Sequence, residues 1–330
     1  MNPRPIRTRL RIVAAIALLP VLALTACGSG DTSGTAPGGA QASPAPTDDP
    51  VAAVRKVDSA AALLPADVRE AGTLRVGSSV GFPPGAYYPW GSPRSSEVES
   101  GGGQDKPPAG QDIDIADAVA KVLGVKLERQ DASFETILPA LGSGKYDFGT
   151  GNFGVTTERL KTIDFVTYIN DGQGFAVKTG NTALGNKVTD LTQLCGLTIG
   201  TGAGTTFEAT LTAQKGVCAK AGRKPYDVKV YSENAATLTA LQQGRIDVIM
   251  STINGLRHQA AQPASQTTFL GEFHRLDVGF AFKKGSPLTK AFQAAVNELI
   301  KDGTYARILK KWGTSASAID TSRINPPEQT

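Results

Sequence analysis

The sequence predicts an α/β protein of two similar lobes with a cleft between them, and three observations carry that prediction. Leu141-Gly-Ser-Gly-Lys-Tyr-Asp-Phe148 recurs 100 residues later as Leu241-Gln-Gln-Gly-Arg-Ile-Asp-Val248. Each copy reads as the end of an amphipathic helix, a glycine stop, a basic residue and a strand. Each strand then runs into small polar residues, at 149–154 and 251–254. A helix–strand unit repeated at this separation points to two lobes rather than one long sheet. Facing loops of similar make-up place a cleft between them.

The first residues are export signal rather than fold. Arg4, Arg7, Arg9 and Arg11 precede a 13-residue apolar run, 12–24, broken only by Pro20. That run is too short to span a bilayer and suits a secretory signal. Residues 1–26 are therefore expected to be a signal peptide. Residues 28–50 mix Gly, Ser, Thr, Ala, Pro and Asp with little apolar bulk. Such a stretch cannot bury a core and reads as a flexible tether, placed at 27–60.

Removing the signal changes the charge balance. The chain has 34 Lys and Arg against 30 Asp and Glu, and four of the arginines precede Cys27, so the mature chain is formally neutral. The basic balance belongs to the signal, and no nucleic-acid partner is expected. About 270 residues remain, enough for one large domain or two lobes. Of three cysteines, Cys195 and Cys218 form a pair in an exported chain, which favours a disulfide over two free thiols. Only His258 and His274 are present and neither has a partner at ligand spacing, so no metal and no cofactor are expected.

In chain order, residues 73–76 read as the first strand. Residues 77–81 then match G-x-S-x-G, but that motif needs a helix directly after the serine, and Pro83-Pro84 prevents one. The Gly/Pro/Ser-rich excursion 85–110 holds Tyr87, Tyr88 and Trp90 and reads as a lid or a disordered insertion. Asp112 is taken as the cap of an amphipathic helix carrying Ile115, Ala116, Val119, Val122 and Leu123, ended by Gly124. Residues 125–128 read as a strand and about 134–141 as a second helix.

The stretch 144–165 is the centre of the chain. Residues 145–148 read as a short strand emptying into a glycine-rich loop, 149–154, where main chain can approach a ligand closely. Thr156 is the expected N-cap of a short helix with Glu158 and Arg159 in its first turn. Ligands of open α/β sheets bind beyond the carboxyl ends of strands, and a guanidinium there matches a carboxylate bidentately. In the second lobe, strand 197–200 leads to Thr205 and Glu208, a capping box whose helix N-terminus suits an anion. The loop lacks the lysine of a P-loop, and Gly149-x-Gly-x-x-Gly154 lacks the βαβ context of a dinucleotide site. Near the C-terminus, Leu288, Phe292, Ala295 and Leu299 form one apolar stripe, and Tyr305, Ile308, Leu309 and Trp312 another.

Residues 110–120, 137–147 and 155–159, Gly204-Thr-Thr206 and the tail 299–312 together resemble the polar amino-acid solute-binding proteins of ABC importers, the bacterial extracellular solute-binding protein family 3. The resemblance spans nearly everything from 74 to 312. Leu24-Thr-Ala-Cys27 resembles a lipobox, which implies lipidation of Cys27 and an extracytoplasmic chain held to the membrane by that anchor alone. The family implies a periplasmic-binding-protein (Venus-flytrap) fold with two hinge crossings, placed near 169–173 and 274–277. Lobe 1 is then 65–168 with 278–330, and lobe 2 is 174–272. A monomer serving an ABC permease is implied, with a small carboxylate-bearing solute, an amino acid first of all, as ligand.

The resemblance also assigns the site. Arg159 would grip the ligand carboxylate, assisted by the main chain at Thr206 next to Thr205. Phe82 would pack on the ligand, and the Asn152 carbonyl and the residue at Gly154 would meet its ammonium. This chain departs from the family where Gly154 replaces a common Thr or Ser, Thr252 an Asp, and Ser79 an acid used on cationic side chains. Lysine and arginine are accordingly expected to bind weakly. Two other functions stay in view: a ligand-sensing lipoprotein, and an exported enzyme resembling cyclohexadienyl dehydratases. No catalytic residue is assigned.

Overall fold

The computed structural model of the chain describes residues 46–89 and 107–329. The signal peptide, Cys27, most of the tether, and Trp90 with the body of the 85–110 excursion lie outside the described residues. Two short helices, α1 (Asp58–Ala61) and α2 (Ala66–Ala71), lead into β1 (Thr73–Ser78). Then come α3 (Gln111–Leu123), β2 (Lys126–Asp131), α4 (Phe134–Gly142), β3 (Phe148–Gly154), α5 (Thr157–Leu160) and the long β4 (Ile163–Lys178). The next run is β5 (Thr198–Gly202), α6 (Thr206–Ala213), α7 (Val217–Lys220), β6 (Asp227–Tyr231), α8 (Asn234–Gln242), β7 (Val248–Thr252) and α9 (Ile253–Ala260). A second long strand, β8 (Thr267–Lys283), precedes α10 (Thr289–Lys301) and α11 (Thr304–Lys311).

The strands lie in the order β2-β1-β3-β8-β4-β7-β5-β6. Read from either edge inward, the pattern is the same: β2-β1-β3 against β8, and β6-β5-β7 against β4. The repeat seen in the sequence therefore occupies equivalent places, α4–β3 in one half and α8–β7 in the other. Its aspartate does one job twice. Asp147 accepts the Arg75 N–H at 2.7 Å and Asp247 accepts the Thr198 N–H at 2.8 Å, fastening the start of the neighbouring parallel strand.

The two halves are nevertheless one hydrogen-bonded ladder, contrary to the expectation of two separate sheets. β4 and β8 are 16 and 17 residues long and pair antiparallel from Ile163↔Lys283 to Lys178↔Thr267, so both run through both halves. The pairs Ile169↔Val278 to Gln173↔His274 sit in the middle of this ribbon, with register shifts on either side.

Helices cover both faces of each half. One core packs α3, α10 and α11 on the first half around Phe148, Phe280 and Phe292, and α4 closes its other face over Ile137 and Phe165. Leu288, Phe292, Ala295, Leu299, Tyr305, Ile308, Leu309 and Trp312 are all buried, as their stripes require. Asp114 ties α11 to α3 by accepting from Lys311 Nζ at 2.8 Å and Trp312 Nε1 at 2.7 Å. The second half has its own two cores, and Cys195 and Cys218 are joined there with Cα atoms 5.6 Å apart.

Four local expectations need correction. Residues 51–60 are not tether: Val51, Val54 and Ala60 are buried in the first core, and Val57 N–H bonds the Val122 carbonyl at 2.9 Å. β3 begins at Phe148, and residues 149–154 are the strand itself rather than a loop. Its glycines serve packing, since a Cβ on Gly149 would stand 2.6 Å from Ile137 Cγ2. Residues 253–254 open helix α9 rather than a loop, with Thr252 as its N-cap. Asp112 does not cap α3: Gly110 does, and the Asp112 side chain turns inward in the first turn, fully buried.

Candidate functional site

The carboxyl ends of β1, β3, β5 and β7 converge on one cavity of about 320 Å³ between the halves. All eight residues proposed from the sequence line it: Ser79, Phe82, Asn152, Gly154 and Arg159 on the first half, Thr205, Thr206 and Thr252 on the second. Pockets of this size commonly hold small-molecule ligands.

Arg159 is placed by its own short helix. Thr156 Oγ1 accepts the Arg159 N–H at 3.2 Å, capping α5 as expected. The guanidinium donates to the Gly154 carbonyl at 2.9 Å and, across the cavity, to the Gly204 carbonyl at 3.0 Å. It lies 5.8 Å over the Phe134 ring, which stacks on Phe153. Two carbonyls use two of its five N–H groups, and it has no carboxylate partner among the described residues. Burial without a counter-charge lowers its pKa to about 10. It is a desolvated cation with donors to spare.

The second half presents the start of α6. Thr205 Oγ1 accepts the Glu208 N–H at 3.2 Å, and Glu208 reaches back to the Gly204 N–H at 2.8 Å. The capping box thus closes one residue early. The Thr205 hydroxyl also donates to the Gly202 carbonyl at 2.7 Å, so its role is to hold the helix start. Thr252 likewise accepts the Gly255 N–H at 3.1 Å.

Gly154 has a packing reason for lacking a side chain. A Cβ there would meet Leu276 Cδ1 at 3.2 Å and Thr206 Cγ2 at 3.3 Å. Gly151 is more tightly constrained, because its Cβ would lie 2.7 Å from that of Ser79 at φ +155°. Phe82 reaches across to Gly255, where an added Cβ would stand 1.8 Å from the ring. The halves are therefore in contact over the cavity at this point.

The cavity also has residues that sequence reasoning did not assign to it: Gln111, Asp112, Phe134 and Asn254 line it, and Asp171 supports it from behind. Asp171 stands in the middle of β4. Its carboxylate accepts the Asn254 N–H at 3.1 Å and Asn152 Nδ2 at 3.1 Å. Asn152 adopts φ +60°, a left-handed conformation that asparagine tolerates better than most residues. Asp112 lies on the other side of Asn152, facing its main-chain N–H and accepting from Gln111 Nε2 at 3.3 Å. Burial raises both carboxyls to about 6 against the opposing pull of these donors. Two acids thus flank Asn152, and together they supply negative potential beneath it. No local signal marked Asp171, one of two aspartates in β4, and Asp112 was hidden by its likeness to a helix cap. Among the described residues no cluster of three His, Cys, Asp or Glu could hold a metal.

Known proteins are similar to this chain. The profile of the bacterial extracellular solute-binding proteins, family 3, matches residues 98–315. The arginine-binding protein ArgT of Corynebacterium glutamicum is 27% identical over 304 residues, covering 92% of this chain and 91% of that protein. The ABC transporter glutamine-binding protein GlnH of Bacillus subtilis is 28% identical over 306 residues, covering 91% and 95%. The solved structure of an ancestral arginine-binding protein bound to arginine superposes with a TM-score of 0.61 at 33% identity, covering 73% of this chain and 98% of that one. Its two-lobed α/β fold is that of the periplasmic binding proteins, and the match runs through both halves and the cavity between them: this chain belongs to the bacterial extracellular solute-binding proteins, family 3.

Proposed function

We propose that the protein captures a free amino acid between its lobes outside the cytoplasm and delivers it to an ABC permease. The observation that carries this reading is Arg159, a desolvated guanidinium with unused donors and no carboxylate partner among the described residues. A ligand α-carboxylate supplies that partner, and the N–H groups at the start of α6, Thr206 among them, assist it. Phe82 and Phe134 pack on the ligand. The ammonium is met by the Asn152 carbonyl, with the charges of Asp112 and Asp171 behind it standing in for the acid that Thr252 replaces. Such backing is needed, because a buried ammonium without counter-charge is costly.

In this reading lobe 1 is 65–168 with 278–330, joined by 51–64, and lobe 2 is 174–272. The crossings 169–173 and 274–277 are the hinge, and the protein works as a monomer. Cys27 carries the lipid that holds it to the membrane, so Cys27→Ala should move the protein from the membrane fraction to the soluble one. Retention of the mutant on the membrane would rule the anchor out.

The direct test is calorimetry of unliganded protein against the common amino acids, with mass spectrometry of any ligand carried through gentle purification. At least one amino acid should bind with micromolar or better affinity, corresponding to about −8 kcal/mol. Failure of every amino acid, with a different compound released, refutes the reading. The acid Asp112, raised to about 6 inside the cavity, gives the enzyme alternative its one foothold. Turnover of the bound ligand would establish that alternative, and its recovery unchanged would exclude it.

A further inference from the structure

The family profile ends at residue 315, and residues 316–329 follow it as a packed tail. Along residues 163–168, β4 is paired with β8 on one side, while β7 pairs with β4 only at 173–177. The tail takes the edge left open. Ile324 bridges Val166 antiparallel, the Thr167 N–H donates to the Arg323 carbonyl at 2.9 Å, and the Asn325 N–H donates to the Phe165 carbonyl at 3.0 Å. Side chains strengthen the attachment. The Ser322 hydroxyl donates to the Thr167 carbonyl at 2.6 Å, and Asn325 Oδ1 accepts the Phe165 N–H at 2.7 Å. Glu328 accepts the Thr157 N–H at 2.8 Å, at the start of the helix that carries Arg159. Unpaired strand edges invite pairing with other chains, so covering this one accounts for the contacts with β4.

Edge cover does not account for the tail's remaining contacts. Arg323 Nη2 donates to Asp277 Oδ2 at 2.6 Å, and Asp277 is 3% exposed. Asn170 Nδ2 donates to Asp277 Oδ1 at 3.2 Å and to Gln329 Oε1 at 3.1 Å. Asn170 belongs to one crossing between the halves and Asp277 to the other. At the head of the tail, the fully buried Ser317 donates to Asn254 Oδ1 at 3.0 Å. Asn254 stands in the first turn of α9, so this bond spans the two halves. The tail is therefore fixed to lobe 1 along β4 and α5, to both crossings, and to lobe 2 through Ser317. A segment fixed to both lobes opposes motion between them, and its single bond to lobe 2 is the attachment that gives first.

We propose that residues 316–329 are a strap that favours the closed arrangement of the lobes, in which Phe82 meets Gly255. The Ser317–Asn254 bond is its latch, and Arg323–Asp277 is its anchor on the hinge. This inference rests on the hinge placed above and is independent of which solute binds. Ser317 does not line the cavity, so the strap sets how readily the lobes part without touching a ligand. As they part, the tail stays with lobe 1 and Ser317 releases Asn254.

Electron–electron resonance distances between the lobes test this without any ligand. Nitroxides are attached to the mature chain carrying Cys27→Ala after Lys145→Cys and Arg245→Cys, two exposed and equivalent places in the repeat. The wild-type tail should give a dominant short distance and a minor longer one. Ser317→Ala should raise the longer-distance population relative to the shorter by about 2- to 12-fold, the equivalent of one hydrogen bond. Arg323→Met should shift it in the same direction. Thr321→Ala, whose hydroxyl bonds Asn297 on α10, should leave the ratio unchanged. Thermal melts of each variant separate lobe motion from loss of folding. A lower melting temperature with unchanged distances is the mark of edge cover alone and would overturn the strap. A longer distance that is present in the wild type and unmoved by Ser317→Ala and Arg323→Met would also overturn it, leaving the hinge standing. One distance shared by every variant would remove both.

Discussion

Arg159→Ala separates the functional role of this residue from a structural one. In the ligand-free protein the guanidinium is bound to two carbonyls, Gly154 at 2.9 Å and Gly204 at 3.0 Å, and its pKa is lowered to about 10 by burial. It is a charge without a counter-charge, so its removal should leave the ligand-free melting temperature unchanged or slightly higher. With ligand the arithmetic reverses. Truncating one member of a buried, hydrogen-bonded charge pair costs about 2–5 kcal/mol, which is roughly 30- to 4,000-fold in affinity. Arg159→Lys should also bind poorly, because an ammonium cannot bond both carbonyls and a carboxylate in the geometry of the planar fork. Calorimetric titration with the identified ligand, alongside thermal melts without it, reads both effects. Affinity of Arg159→Ala within about threefold of wild type would take the residue out of the site and the carboxylate mechanism with it. A large drop in the ligand-free melting temperature would instead make the bridge between Gly154 and Gly204 its main role.

Three further outcomes are expected. Gly255→Ala places a methyl 1.8 Å from the Phe82 ring position in the ligand-free protein, so it should lower ligand-free stability by about 1–3 kcal/mol, more than the gain in helix propensity returns; an unchanged melting temperature would show that the ring moves aside at no cost. Asp112 and Asp171 have folded pKa values of about 6, above the ordinary 3.8, so the native state binds more protons than the unfolded chain between those values. Stability should therefore rise as pH falls from 7 towards 5, by up to about 1 kcal/mol per pH unit for each group, and urea denaturation showing a flat or falling trend would contradict the burial of these acids. The opposite trend belongs to lower pH, where Asp164 and Glu272, both held below their usual values by cationic neighbours and hydrogen bonds, become protonated. Reduction of Cys195–Cys218, 23 residues apart, should lower the melting temperature, with a chain-entropy contribution of about 3 kcal/mol. Two titratable thiols in unreduced, unfolded protein would refute the bond.

The sequence by itself determined what local chemistry controls. Apolar spacing marked α3, α4, α10 and α11, Gly124 and Thr156 ended and began helices where expected, and the repeat at 141 and 241 revealed two equivalent halves. It also led to Arg159, because a glycine-rich strand end followed by a capped turn is written in a dozen consecutive residues; its cavity neighbours Ser79, Phe82, Asn152, Gly154, Thr206 and Thr252 came from the family resemblance. The tertiary structure decided what depends on partners far along the chain. Residues 149–154 look like a loop until Ile137, Ser79 and Thr206 are seen to leave no room for side chains against that strand. The single ladder exists because β4 and β8, with residues 179–266 between them, are long enough to pair through both halves. Asp112 and Asp171 are ordinary acids in the sequence. Packing removes them from water and aims both at Asn152, as it leaves Asn254 with a free donor once Ser317 has taken its oxygen. Burial and orphaned hydrogen-bonding capacity are properties of the assembled core, and no window of sequence contains them.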